Sequence, residues 1–260
     1  ELAGCKIFLM AHQLKTVMRC LQGKTCRYML ADEVGMGKTI EAAAVLKVYL
    51  LHHANRRVLI TVPKPLMAQW KTELFIKFEI AQGEDINGNY IALVPAEDIA
   101  QYANADWDFI VTDEVHKLLG DKDLYDHYHR LSRRTSNILF LSATPVQQKR
   151  EAYLALLRLI LPEKYDKVKV EDFETLVEKQ KNIRKNTFLV LQNYDDYTER
   201  IDDLTIKEEN PRGDEECQDL FDDILSGLKK VNKIINDNTL TDIIAEVNIG
   251  SDDYGQIKMQ

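Results

Sequence analysis

Cysteine is scarce: Cys5, Cys20, Cys26 and Cys217 are the four in 260 residues, and no CxxC pair occurs among them. That scatter excludes a disulfide framework and a thiolate zinc site, and reads as isolated thiols in a reducing compartment. Long apolar runs are lacking too. None approaches the roughly 20 residues a membrane helix needs, and no charged-then-apolar leader is visible, so a soluble cytoplasmic protein with no membrane partner is expected. Positive charge is in short supply: the chain carries −8 overall, divided as +2 over residues 1–150 and −10 over 151–260. A broadly basic wrapper of nucleic acid is thereby excluded, and any such contact must be local. Internal repeats and low-complexity tracts are absent.

What is present begins with alternation. Residues 1–145 switch between short β-branched runs and helical periods, the pattern of an α/β domain whose parallel sheet is covered on both faces. Strands are expected at Arg27–Ala31, Val58–Val62, Tyr90–Val94, Phe109–Thr112 and Ile138–Ser142. Helices are expected near Gln13–Leu21, Thr39–His53, Leu66–Phe78 and Leu124–Arg133. Val58–Val62 and Ile138–Ser142 are almost continuously apolar, as central strands buried on both faces should be. Beyond Pro145 the character changes to an apolar helix at Ala152–Leu161 and then acidic helices punctuated by Pro162, Asn210-Pro211 and Gly213. The expected organisation is an α/β domain over 1–150, with a mostly parallel central sheet, followed by an acidic helical extension over 151–260.

Two motifs carry chemistry. Asp32-Glu33-Val34-Gly35-Met36-Gly37-Lys38-Thr39 follows an expected strand and opens an expected helix. In such a loop glycines let backbone N–H groups curl around phosphate oxygens, the helix offers its positive N-terminus, Lys38 neutralises β/γ-phosphate charge and Thr39 ligates magnesium. Asp32 stands where the strict G-x4-GK[ST] pattern has its first glycine, so the loop by itself is also compatible with an ordinary strand-to-helix turn. Asp113-Glu114-Val115-His116 directly follows the strand ending at Thr112. Open α/β sheets bind ligands at that strand end, which suits Asp113 to holding magnesium and Glu114 to polarising an attacking water. Alone, Asp-Glu also begins many solvated helices.

In order and spacing, Asp32–Thr39, Asp113–His116 and Leu141-Ser142-Ala143-Thr144-Pro145 resemble motifs I, II and III of Swi/Snf-type superfamily 2 ATPases. The family loop itself begins Asp-Glu, so Asp32 is at home in the resemblance, and Val115 replaces a more usual alanine. The resemblance covers about residues 7–190 and implies a RecA-like lobe that binds ATP and Mg2+. Glu33, Gly35, Met36, Gly37, Lys38 and Thr39 would hold the nucleotide, and Lys38, Asp113 and Glu114 would act in hydrolysis. It further implies that Gln13 reads adenine, that His116, Ser142 and Thr144 couple nucleotide state to the other lobe, and that Lys64 and Gln69, within Pro63–Trp70, lie beside a nucleic-acid backbone. Trp70 itself reads as core. Tyr90–Pro95 lacks the polar ending that family members use near DNA, so no contact is expected there.

Gly37–Ala42, Trp107-Asp108 and Leu156–Pro162 are similar to the bacterial RNA-polymerase-associated branch, which implies a prokaryotic cytosol or nucleoid and RNA polymerase as a partner. The function implied is the first lobe of a motor that translocates on double-stranded DNA and remodels protein–DNA complexes. An RNA helicase or restriction-type motor subunit, or a non-hydrolysing nucleotide-binding scaffold, are the alternatives. No second run of buried strands and no Gln-x-x-x-Arg-x-x-Arg box follows residue 150. The second RecA-like lobe is therefore expected from elsewhere in a parent chain, and hydrolysis by this chain alone is expected to be weak, because the arginines such a lobe supplies are worth about 10³–10⁵ in rate.

Overall fold

A computed structural model describes residues 9–31, 35–142, 150–207, 209–236 and 240–241. The chain divides into two compact units, Glu1–Val170 and Glu171–Gln260.

The first unit is α/β. Its six strands are β1 (Arg27–Leu30), β2 (Arg57–Val62), β3 (Gly83–Glu84), β4 (Tyr90–Pro95), β5 (Phe109–Thr112) and β6 (Asn137–Leu141). They form one sheet in the order β1-β6-β5-β2-β4-β3, parallel throughout except for β3, which pairs antiparallel with β4. Around it lie α1 (Ala11–Leu21), α2 (Lys38–His52), α3 (Met67–Phe78), α4 (Lys122–Arg134), α5 (Arg150–Ile160) and α6 (Pro162–Tyr165).

Side chains alternate across a strand, and here both sets are apolar. Val58, Ile60, Val62, Phe109, Val111, Leu139 and Leu141 pack with Ala42–Leu46, Trp70, Leu74 and Phe78 in one cluster. Leu59, Ile110, Ile138 and Phe140 pack with Tyr128, Leu131, Leu156 and Leu159 in the other. The run Ala42-Ala43-Ala44 has no exposure at all, so α2 lies close on the sheet and holds its first turn at the sheet's carboxyl edge.

Arg27 fastens the far side. Its guanidinium donates to Ile160 O, Thr135 O and Ser132 O, near the last residues of α4 and α5, where unsatisfied carbonyls favour a cation. This anchoring, with Leu156 and Leu159 in the second cluster, draws α5, which begins at Arg150, into the first unit.

Among the described residues the second unit is built chiefly on α7 (Val170–Ile206, 37 residues) and α8 (Glu215–Ile235). Val190, Tyr197, Leu204, Cys217, Phe221, Ile224 and Leu225 form its core. Val190 faces Gly227, and Tyr197 meets Phe221 with ring centroids 6.3 Å apart, so the helices run antiparallel. Asp214 caps α8 by accepting from Cys217 N–H at 3.0 Å and is held in place by Arg200 at 2.6 Å. Among the described residues no helix is long and apolar enough to cross a membrane.

Candidate functional site

Strands β1, β6, β5 and β2 are parallel neighbours, so the segments that follow them emerge along one edge. Four sets of sequence-expected residues therefore share that edge: the loop before α2, Ser142 after β6, Asp113–His116 after β5, and Lys64 with Gln69 after β2.

The loop enters α2 through two left-handed glycines, Gly35 at φ +87° and Gly37 at φ +85°. Gly37 occupies the N-cap position of α2 and, being glycine, brings no side chain of its own to cap it. The first-turn N–H groups have no intrahelical acceptor, which makes this end of the helix suited to an anion. Lys38 and Thr39, both half-buried, are the first two residues of α2. Gln13, 7% exposed on α1, reaches the same loop. Its Oε1 accepts from Met10 N–H at 3.0 Å and its Nε2 donates to Met36 O at 3.2 Å. The amide that the family resemblance assigns to the adenine edge is thus also a brace for the loop. Glu33 and Thr144, expected to bind nucleotide and to couple the lobes, lie outside the described residues.

Asp113 is held on three sides. Its N–H donates to Thr61 O at 2.9 Å, its Oδ1 accepts from Glu114 N–H at 2.8 Å and its Oδ2 accepts from the Trp70 indole N–H at 2.8 Å. Burial raises its carboxyl above the usual range. The Trp70 and Glu114 hydrogen bonds and the charge of Lys38 work against that, while the charge of Glu114 adds to it. Lys38 is thus close enough to act on Asp113 electrostatically, which joins the loop and the carboxylate pair in one site. Beneath Asp113, Thr61 Oγ1 donates to Thr112 Oγ1 at 2.9 Å, with buried Tyr128 beside both hydroxyls.

Glu114 takes a left-handed backbone, φ +50°, a conformation that costs a non-glycine residue about 1–3 kcal/mol and persists where the surroundings impose it. The turn brings its carboxylate to His116, whose Nδ1 lies 3.2 Å from Glu114 Oε2 and 3.1 Å from Ser142 Oγ. The hydrogen bond is to Ser142, whose hydroxyl can donate or accept and so links β5 to β6, while Glu114 Oε2 lies close to the ring without a hydrogen bond to it among the described residues.

Lys64 and Gln69 are exposed, Lys64 in a 3₁₀ turn after β2 and Gln69 in the first turn of α3, where it donates to Glu73 Oε1 at 3.0 Å. Sequence reasoning missed the second function of Trp70. The available signal was that a buried indole N–H needs an acceptor, but the acceptor's identity depends on β2 lying beside β5.

The oxygen donors at this edge, the Thr39 hydroxyl and the Asp113 carboxylate, are hard ligands few enough to suit magnesium that also keeps phosphate oxygens and water. Among the described residues no group of three or more His, Cys, Asp or Glu gathers as a self-sufficient metal site. A cleft of about 680 Å³ opens at the opposite, amino-terminal edge of the sheet, lined by Cys26, Arg56, Asp108 and Asn137 among others. It is remote from Lys38 and Asp113, and the chemistry described above is not in it.

The model of the SNF2-related domain family matches residues 11–82 and 89–238. The chain belongs to that family. The fold of this SNF2-related chain is also similar to a solved Sulfolobus solfataricus SWI2/SNF2 ATPase core in complex with dsDNA, with a TM-score of 0.57 at 13% identity. That match takes in 97% of the present chain and 66% of the other, so the SNF2-related chain spans about two thirds of that core. At such identity the likeness establishes the RecA-like α/β fold.

Proposed function

We propose that this SNF2-related chain is the ATP-binding first lobe of a DNA-dependent ATPase that moves on double-stranded DNA and remodels protein–DNA complexes. The observation that carries the reading is the meeting, at one sheet edge, of the glycine-entered α2 N-terminus and Lys38 with the Asp113–Glu114 pair. Backbone N–H groups at Gly37–Thr39 and the Lys38 ammonium hold β- and γ-phosphate oxygens. Thr39 and Asp113 hold magnesium, which when bound neutralises charge on the transferred phosphoryl. Glu114 orients and polarises the attacking water. His116 and Ser142 carry the state of Glu114 across to β6, and from there toward the second RecA-like lobe, which supplies the arginines that complete the site.

Lys64 and the N-terminal end of α3, with Gln69, meet a nucleic-acid backbone. That they sit on the segment after β2, directly beside β5, supports a polymer track adjoining the nucleotide. The dsDNA in the solved SWI2/SNF2 core supports duplex DNA over RNA as the polymer. The acidic charge of α7 and α8 repels phosphate, which supports their role as a helical protrusion or linker and not as a nucleic-acid contact.

Placement in the RNA-polymerase-associated branch rests on Gly37–Ala42, Trp107-Asp108 and Leu156–Pro162, and retention of the chain on immobilised RNA polymerase tests it. The main reading is tested by fluorescence anisotropy of a labelled duplex with and without Mg-ATP. Binding is expected to weaken at least severalfold in Lys64→Ala and to exceed binding to a single-stranded RNA of equal length. A preference for the RNA supports a helicase instead.

A further inference from the structure

Trp70 is 1% exposed and packs in the cluster that contains Leu74 and Phe78. Space-filling explains its ring but not where its one donor goes. The other tryptophan, Trp107, donates to a backbone carbonyl, Tyr102 O, at 3.1 Å. Trp70 instead donates to Asp113 Oδ2 at 2.8 Å.

An ionised carboxylate has about four lone-pair positions. Trp70 and the Glu114 N–H each take one, on opposite oxygens, which fixes the plane of the carboxylate and leaves one position on each oxygen for a further ligand. Strand β2, which leads into α3 and Trp70, also holds the backbone of Asp113, whose N–H donates to Thr61 O at 2.9 Å. β2 thus sets the place of Asp113, and the α3 indole, with the Glu114 N–H, sets the rotation of its carboxylate.

We propose that Trp70 is a positioning residue, whose indole N–H orients Asp113 for holding magnesium beside a bound nucleotide. The proposal rests on the ATP- and magnesium-binding reading above. It assigns to the N–H a contribution to metal affinity separable from the contribution of the ring to packing, since partners that orient a metal ligand typically carry about 10–100-fold in metal affinity.

The test removes the N–H and keeps the shape. Position 70 is replaced by 3-benzothienylalanine, which has sulfur in place of the N–H, and in a control by 7-azatryptophan, which keeps the donor. Binding of a fluorescent ATP analogue to the full chain is measured in EDTA and across a Mg2+ titration. The proposal predicts unchanged affinity in EDTA, a half-saturating Mg2+ concentration raised about tenfold in the sulfur isostere, and normal behaviour in the azatryptophan control. In Asp113→Asn the isostere should have no further effect. An isostere with the normal Mg2+ response, or one weakened equally in EDTA, overturns the proposal. Lys38→Ala separates the two failures. If it loses nucleotide while the isostere responds normally, only the positioning role is wrong, and if it binds nucleotide as the natural chain does, the nucleotide-site reading falls with it.

Discussion

Gln13 Nε2 donates to Met36 O across 3.2 Å, joining α1 to the loop that opens α2. The contact explains why Gly37 is glycine twice over. A Cβ there would stand 2.3 Å from Gln13 Nε2, and the backbone is left-handed at φ +85°. The amide occupies the space that a side chain on the loop would need.

Gly37→Ala is accordingly expected to lower stability by about 1–2 kcal/mol from the left-handed backbone alone and to abolish ATP-analogue binding. Adding Gln13→Ala removes the clash but not the backbone cost, so it should recover only part of the stability. Gln13→Ala alone should weaken the analogue about fivefold, the worth of roughly one hydrogen bond. Thermal unfolding and analogue titration of the three variants check this, and full recovery in the double variant would contradict the backbone part.

Glu114 combines strain with chemistry. Glu114→Gln should keep Mg-ATP binding while hydrolysis falls about 10²–10⁴-fold. Glu114→Gly should lose hydrolysis equally yet raise stability by up to about 1 kcal/mol, because glycine adopts φ +50° without cost. Phosphate release and melting temperature measure the two halves, and a destabilised glycine variant would show that the glutamate side chain holds the turn together.

His116 and Ser142 should behave as one unit. Their 3.1 Å contact predicts that His116→Ala and Ser142→Ala are non-additive in a double-mutant cycle of unfolding free energy, with a coupling of about 0.5–1.5 kcal/mol. Strict additivity would mean that the two side chains are neighbours without a bond.

In the second unit, a Cβ on Gly227 would stand 2.4 Å from Val190 Cγ2. Alanine is favoured over glycine in a helix by about 1 kcal/mol, so a net loss in Gly227→Ala isolates the packing. We expect that loss, and we expect Val190→Ala to turn the same substitution favourable. Chemical denaturation of the natural chain, the two single variants and the double variant decides it.

The α8 cap should be sensitive to acid. The Arg200 hydrogen bond, followed by the Cys217 N–H, depresses Asp214 from 3.8 to about 2. A depressed carboxyl contributes stability that is present above its unfolded value and is lost as pH falls through the folded one. Melting of the natural chain should therefore decline from near pH 4 toward pH 2 more steeply than that of Arg200→Met, whose Asp214 lacks the guanidinium. Parallel acid limbs would contradict this.

The sheet was legible in the sequence because its strands are buried on both faces. Val58–Val62 and Ile138–Ser142 stand out as apolar runs, and the structure places β2 and β6 within a residue of them. β3 was not legible, since Gly83–Glu84 is two residues long and has no apolar face to bury. The acidic extension showed its helices but not that α7 runs unbroken for 37 residues, because no position between Phe173 and Val190 is buried, and only from Val190 on do Tyr194, Tyr197, Ile201 and Leu204 keep a helical period. The motifs that meet at the sheet's carboxyl edge could be located from local order. The bond from Trp70 to Asp113 could not, because it depends on which strands become neighbours and no local pattern records that.

The central claim, that this sheet edge holds Mg-ATP, is tested most directly by calorimetric titration of Mg-ATP into the chain, with Lys38→Ala alongside. The account predicts one saturable site in the natural chain and none in Lys38→Ala. Equal binding by both, or saturable binding that survives the loss of Lys38 and Asp113 together, would place the nucleotide elsewhere and contradict it.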